Sequence, residues 1–188
     1  MTPRFAIFPT ALGLCGIAWR GDASEGLIGS QLPAADADAL RALMRHRFDA
    51  AAEAEPPASV RDAIARVQRL LAGETADHRE LLAVKLDDRA VPEFERQTLW
   101  LTRQIPVGQT RTYGELAAAL GEPGAARAVG RAEGHNPFAP IVPCHRVMGA
   151  GGAPTGFSAP GGVETKRQLL LIEARAAGQL AGDQQPLF

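Results

Sequence analysis

Cysteine and histidine stand side by side in the segment IVPCHRVMG, where Cys144 and His145 lie between Pro143 and Arg146. A thiolate attacks electrophilic carbon, and a neighbouring imidazole or cation can lower a thiol's pKa enough to populate that form. Cys144 has polar, basic, turn-rich company, which favours a nucleophile. The other cysteine, Cys15, lies inside LGLCGIAW and reads as a small buried hydrophobe. Adjacent side chains of an extended segment point to opposite sides, so His145 meets the sulfur only where the chain turns or a water bridges the two. The ring also needs a third group to orient it. Glu173 is the candidate, because it shares a helix face with Leu169 and Ile172, and a carboxylate in an apolar stripe requires a partner. A solvated Glu173 beside Arg175 accounts for the sequence equally well.

A second constellation lies upstream. Tyr113, Leu116, Ala117 and Leu120 make one apolar stripe, and the short turn Gly121-Glu122-Pro123-Gly124 sets the next helix at a steep angle, a helix-turn-helix pattern. That next helix is nearly bald: Ala125, Ala126, Ala128, Gly130 and Ala132 surround the single long cation Arg127. Its backbone can approach another surface closely. That surface is either the rest of the protein, with Arg127 reaching to solvent, or a groove of DNA.

Other elements must hold these groups in place. Residues 4–32 alternate short apolar runs with Pro and Gly punctuation, which predicts two or three antiparallel strands. Leu40, Leu43, Met44 and Phe48 fall at helical spacing, as do Val60, Ala63, Ile64, Val67 and Leu71, the second set behind a Ser59 N-cap. LLAVKL at 81–86 reads as a further strand, and Pro92 opens a helix carrying Phe94, Leu101 and Ile105. A boundary near residue 90 separates an N-terminal α/β domain, 1–90, from a mainly helical domain, 91–175, with 176–188 as a flexible tail.

Composition narrows the function class. With 188 residues, 46% hydrophobic and 22% charged, the chain suits one or two compact domains and excludes long disorder. A net charge of −1 excludes a binder driven by bulk charge, although residues 91–175 hold nine Lys+Arg against seven Asp+Glu. No apolar stretch reaches the ~18 residues of a membrane span, so a soluble, cytoplasmic protein is expected. Two distant cysteines without a CxxC pair point to reduced thiols.

PCHRV at 143–147, preceded by ARAVG at 126–130 and Asn136-Pro137 and followed by GGxxxKxxLLxxE ending at Glu173, resembles the O6-alkylguanine-DNA alkyltransferases, also called methylated-DNA-protein-cysteine methyltransferases. The match runs from about residue 105 to Glu173. The resemblance implies an α+β fold, with a small N-terminal antiparallel sheet and helices of ribonuclease H-like plan followed by a helical domain with a helix-turn-helix. It implies that Cys144 accepts an alkyl group from O6-alkylguanine, and from O4-alkylthymine, in double-stranded DNA and is spent in doing so. His145 would be the base acting through a water, Glu173 its support, and Asn136 the hinge before the active-site loop. Arg127 resembles the finger that fills the stack when a base is rotated out, on a helix whose Ala125, Ala126, Ala128 and Gly130 enter the minor groove. Tyr113 would crowd the flipped nucleotide, with Phe157 and main-chain groups of Cys144, Val147 and Ser158 lining the base pocket.

Three features depart from the family pattern or stand outside it. The pocket loop reads Phe157-Ser158-Ala159-Pro160-Gly161-Gly162, where many members carry a tyrosine and a shorter loop. Some relatives hold a structural zinc, but here only Cys15 is available, with His46 and His78 far off in sequence, so neither metal nor cofactor is expected. At the C-terminus Gln184, Leu187 and Phe188 fit Q-x-x-L-F, similar to peptides by which bacterial repair proteins dock on the sliding clamp. The expected protein is a monomer. An alkyltransferase-like protein that binds damage without transfer is the alternative, but there another residue, commonly Trp, replaces the cysteine. A thiol hydrolase unrelated to DNA would leave the bald helix unexplained.

Overall fold

Apolar alternation broken by a tight turn produces a hairpin of β1 (Pro3–Thr10) and β2 (Gly13–Arg20), joined on the far side of β2 by β3 (Leu27–Gln31). Gly13 closes the hairpin at φ +120°, a conformation that side-chain-bearing residues rarely adopt. The fold is a computed structural model and describes residues 2–180. The C-terminal Gln184, Leu187 and Phe188 therefore lie outside the described residues.

The period of two sends alternate side chains to opposite faces, and each face meets a helix. Phe5, Ala18 and Ile28 pack on Leu40 and Met44 of α1 (Ala37–Arg47) and on Phe48, its C-cap. Ala6, Phe8, Cys15, Ile17 and Trp19 pack on α2 (Ala58–Leu71). Asp36 starts α1 by accepting from the Ala39 N–H at 2.8 Å. The N-cap of α2 is Pro57, not Ser59: Pro57 supplies the fixed φ, and no side chain caps the helix.

Two expectations need correcting. The sheet is not purely antiparallel, because β4 (Ala52–Glu53) adds a parallel edge to β1, in the order β3-β2-β1-β4. Residues 81–86 are not a strand. Leu81 and Leu82 end a short helix, α3 (Arg79–Leu82), and only Leu86 keeps a strand-like bridge, to Leu27. The cause is Arg103, whose guanidinium collects the carbonyls of Leu81, Leu82 and Val84 and turns them toward one point.

The second half is α4 (Glu93–Arg103), β5 (Arg111–Thr112), α5 (Tyr113–Ala119), α6 (Ala126–Gly134), β6 (Val147–Met148) and α7 (Gly162–Ala176). Ile105, expected on α4, lies just beyond its end. Ala176 still belongs to α7, one residue past the boundary read at 175, and Gln179 donates to the Gly108 carbonyl at 2.9 Å. Among the described residues no helix is long and apolar enough to cross a membrane.

Candidate active site

The chain turns where the chemistry sits. Cys144–Arg146 form a single 3-10 turn rather than an extended run, with the Cys144 N–H donating to Val142 O at 3.0 Å and the Arg146 N–H to Pro143 O at 2.8 Å. Asn136 fixes the approach to that turn. Its Nδ2 donates to Val142 O at 2.8 Å, and its Oδ1 accepts from the Phe138 N–H at 2.9 Å, so one buried amide closes the loop between α6 and the cysteine.

The turn buries His145 completely and brings it to Glu173 of α7, 28 residues on, with Nε2 2.7 Å from Oε1. Glu173 is equally buried and is also gripped by Arg146, through Nε at 2.9 Å and Nη2 at 2.8 Å. Burial alone would push the Glu173 carboxyl up, but His145 and Arg146 outweigh it and hold the group at about 2. Glu173 is thus an anion, which only accepts, so the proton between the two groups is on His145 Nε2. Burial lowers the imidazole pKa against the pull of Glu173, and the ring is neutral at pH 7. Its Nδ1 then carries a lone pair, and that atom is buried with no partner among the described residues. The solvated alternative for Glu173 does not hold.

Cys144 itself is a buried free thiol, 6% exposed. The expectation that basic neighbours lower its pKa is corrected. The neutral His145 ring and the Arg146 guanidinium are both turned onto Glu173, and burial first and the Glu133 carboxyl second push the thiol up to about 12 against the smaller pulls of Asn136 and Lys166. At rest the sulfur is protonated.

The thiol opens onto a cavity of about 470 Å³. Glu133, His135, Asn136 and Cys144 line one side, and Phe157, Ser158, Ala159 and Pro160 another. Gln31, Leu43 and Arg47 complete the wall from the N-terminal half. Ser158 Oγ donates to Gly134 O at 3.0 Å, tying the pocket loop to the end of α6. Val147 turns its side chain into the core with Ile105, Leu116, Ala117 and Val129, which leaves its main chain as the part expected at the pocket. Its carbonyl accepts from the buried Lys166 ammonium, so the residue lends structure beside the cavity.

Tyr113 is the first residue of α5, placed there by a capping box in which Thr112 and Glu115 bond each other's backbone. Thr112 pairs with Met148 of β6, so the strand leaving the Cys144 turn positions Tyr113 directly. The Tyr113 hydroxyl donates to Thr155 O at 3.2 Å, and the Lys166 ammonium lies 5.8 Å from its ring. On α6 Arg127 is exposed, while Ala125, Ala126, Ala128 and Gly130 are half-buried beside it. Neither Tyr113 nor Arg127 borders the cavity; both stand on the surface around α5 and α6.

Sequence reasoning missed Arg146 as the second holder of Glu173, Arg47 as a cavity residue, and Lys166 and Glu133 as buried titratable groups. A signal existed for Glu133. Val129, Ala132, Glu133 and Asn136 recur at helical spacing, which places the carboxyl on the buried face of α6.

Residues 93–175 match the family described as 6-O-methylguanine DNA methyltransferase, DNA binding domain. A methylated-DNA–protein-cysteine methyltransferase of Mycolicibacterium paratuberculosis is 45% identical over 121 residues, 64% of this chain and 69% of that protein. One of Salmonella typhimurium is 54% identical over 80 residues, 43% of this chain and 46% of its own length. The fold superimposes on Mycobacterium tuberculosis OGT crystallised in complex with DNA, with a TM-score of 0.72 and 34% identity over 92% of this chain and 94% of that one. The O6-methylguanine-DNA methyltransferase of Pyrococcus kodakaraensis gives a TM-score of 0.61 at 26% identity, covering 90% and 98%. With Cys144 on the cavity wall and the His145–Glu173 pair buried behind it, this chain belongs to the methylated-DNA–protein-cysteine methyltransferase family.

Proposed function

We propose that the protein repairs DNA by moving the alkyl group of O6-alkylguanine, and of O4-alkylthymine, onto its own Cys144. The observation that carries this is a buried thiol on a cavity wall next to an imidazole whose Nε2–H is fixed by Glu173, leaving Nδ1 as the base. His145 Nδ1 takes the thiol proton through a water, and Glu173 steadies the imidazolium that forms. The sulfur attacks the alkyl carbon, the carbon–oxygen bond breaks, and its electron pair and the proton pass to the departing base. The thioether does not leave again, so each molecule acts once. Cys144 stands against the reading as a non-transferring damage binder.

The base must leave the duplex to reach a buried sulfur, at a cost of a few kcal/mol in stacking and pairing. In this reading α5 and α6 form the helix-turn-helix. Ala125, Ala126, Ala128 and Gly130 let α6 lie in the minor groove, and exposed Arg127 fills the vacated stack. Tyr113 crowds the rotated nucleotide, Phe157 and Ser158 face the base, and Asn136 holds the loop that carries Cys144. The N-terminal unit, 1–90, is of ribonuclease H-like plan and 91–175 is the acceptor and DNA-binding unit, in a cytoplasmic monomer. Gln184, Leu187 and Phe188 offer a clamp-docking peptide; a chain ending at Gly182 should lose clamp protein in a pull-down, and equal binding would remove that role.

Incubation with a duplex containing O6-methylguanine should add one methyl mass to the Cys144 peptide, and Cys144→Ala should abolish the gain while DNA binding persists. An unmutated protein that stays unmethylated overturns the function.

A further inference from the structure

Glu133 is an acid that the reaction as described does not use. It sits on the inner face of α6, 5% exposed, and lines the same cavity as Cys144. Thr102 of α4, itself fully buried, donates its hydroxyl to Oε1, while Oε2 is buried without a partner among the described residues. The titratable groups around it come from three further elements: Cys144 in the 3-10 turn, Lys166 on α7 and Tyr113 on α5. Lys166 spends its ammonium on the carbonyls of Val147 and Thr155 and makes no ion pair with Glu133. Arg47 of α1 acts on the sulfur from the other side of the cavity. Among the described residues this carboxyl has one hydrogen bond and no ion pair, only the more distant pull of Lys166, an arrangement that costs far less as the neutral acid than as the anion.

We propose that Glu133 is a positioning residue for the acceptor thiol, its protonation state deciding how readily Cys144 gives up its proton. This deepens the alkyl-acceptor reading and rests on it for its biological meaning. As the neutral acid, Glu133 leaves the sulfur free to ionise when the base takes its proton. Once it has released its own proton to solvent, a second negative charge faces the sulfur beside the cavity that both groups line, and the thiol holds its proton more tightly. Burial, followed by opposing contributions from Thr102 and Lys166, puts the carboxyl at about 8, so the change falls just above neutral pH. The device keeps a single-use nucleophile from ionising idly in alkaline conditions.

The test reads the thiol directly, independently of alkyl transfer. Iodoacetamide forms a sulfur–carbon bond at Cys144 and expels iodide, the thiol proton going to solvent, and the mass of the Cys144 peptide reports the rate. Glu133→Gln keeps the shape and the Thr102 hydrogen bond but cannot ionise. Its rate should equal that of the unmutated protein at pH 6.5 and exceed it about tenfold at pH 9.5, the effect of a one-unit change in thiol pKa. A ratio that is flat across pH, or that falls, overturns the proposal, because a merely structural role would not follow pH. Thr102→Val serves as a second variant. It removes the hydroxyl that steadies the carboxylate, so the break in the pH profile should move upward; an unmoved break also overturns the proposal. Methyl transfer from O6-methylguanine duplex is scored in parallel, so a protein that never methylates itself refutes the repair function without touching the iodoacetamide result.

Discussion

Two buried carboxyls within one site have opposite fates, and the difference is their partners. Glu173 receives hydrogen bonds from His145 and Arg146, whereas Glu133 has Thr102 alone. For Glu173 the folded-state pKa, about 2, lies below the ordinary 4.5, so the unfolded chain takes up the proton first as pH falls. Its stabilisation is complete above about pH 4.5 and is lost on the way down to about 2. Glu173→Ala strands Arg146 and His145 in the interior and should cost about 3–5 kcal/mol in urea unfolding at pH 7. A loss under about 1 kcal/mol would show that the pair contributes little. For Glu133 the sign reverses: its folded pKa, about 8, lies above the ordinary value, so stability declines as pH rises from about 4.5 to 8. Glu133→Gln should therefore gain thermal stability at pH 8 relative to pH 5; an equal or smaller gain at pH 8 would contradict that sign.

At the scale of elements, α6 combines two surfaces that can be tested separately. Its inner face buries Val129, Ala132 and Glu133, and its outer face presents Arg127. Arg127→Ala should slow repair of duplex O6-methylguanine at least tenfold while reaction with free O6-benzylguanine keeps its rate, because only the duplex requires extrusion. Equal slowing on both substrates would remove the finger role. Gly130→Ala asks about the groove. A Cβ there meets the Tyr113 ring at 3.9 Å, an ordinary contact, and Ala favours a helix over Gly by about 0.8–1 kcal/mol. The variant should be at least as stable as the parent yet weaker on duplex by fluorescence anisotropy, and unchanged affinity would show that α6 has room to spare.

Elements also divide into those the sequence reveals and those it conceals. The first three strands and α1, α2, α5, α6 and α7 are legible because alternation or helical spacing runs for five or more residues between turn formers. The strands β4, β5 and β6 have two residues each, too short to carry a period. LLAVKL misleads because an apolar run has no period of its own, and its outcome depends on Arg103, which lies 17 residues beyond Leu86. The Cys144-His145 pair and Glu173 are readable from residue type and position. The burial of Arg146 and Lys166 is not, since their partners arrive from Ile105 and Val147 through tertiary packing.

Across the whole molecule the boundary near residue 90 is crossed by contacts that belong to both cores. Ile141 and Leu169 pack in one cluster with Trp19, Val67 and Leu71, the Ser30 N–H donates to Pro137 O at 2.8 Å, and Arg103 holds the end of α3. Halves joined in this way should unfold together, as one calorimetric transition whose van't Hoff and calorimetric enthalpies agree; two resolved peaks would show independent units. Gly29 is where the joint is tightest. A Cβ there would come within 2.3 Å of the Phe48 ring and 2.7 Å of the Pro137 carbonyl, so α1 or the loop after Asn136 must shift. Overpacking of this kind costs about 1–3 kcal/mol, and a chain of this size loses about 2–4 °C of Tm for each. Gly29 does not border the cavity, yet Pro137 adjoins the amide that closes the loop to Cys144. Gly29→Ala should therefore lower Tm within a single transition and also slow reaction with O6-benzylguanine. A lower Tm with an unaltered rate would mean that β3 supports the acceptor loop without setting its geometry.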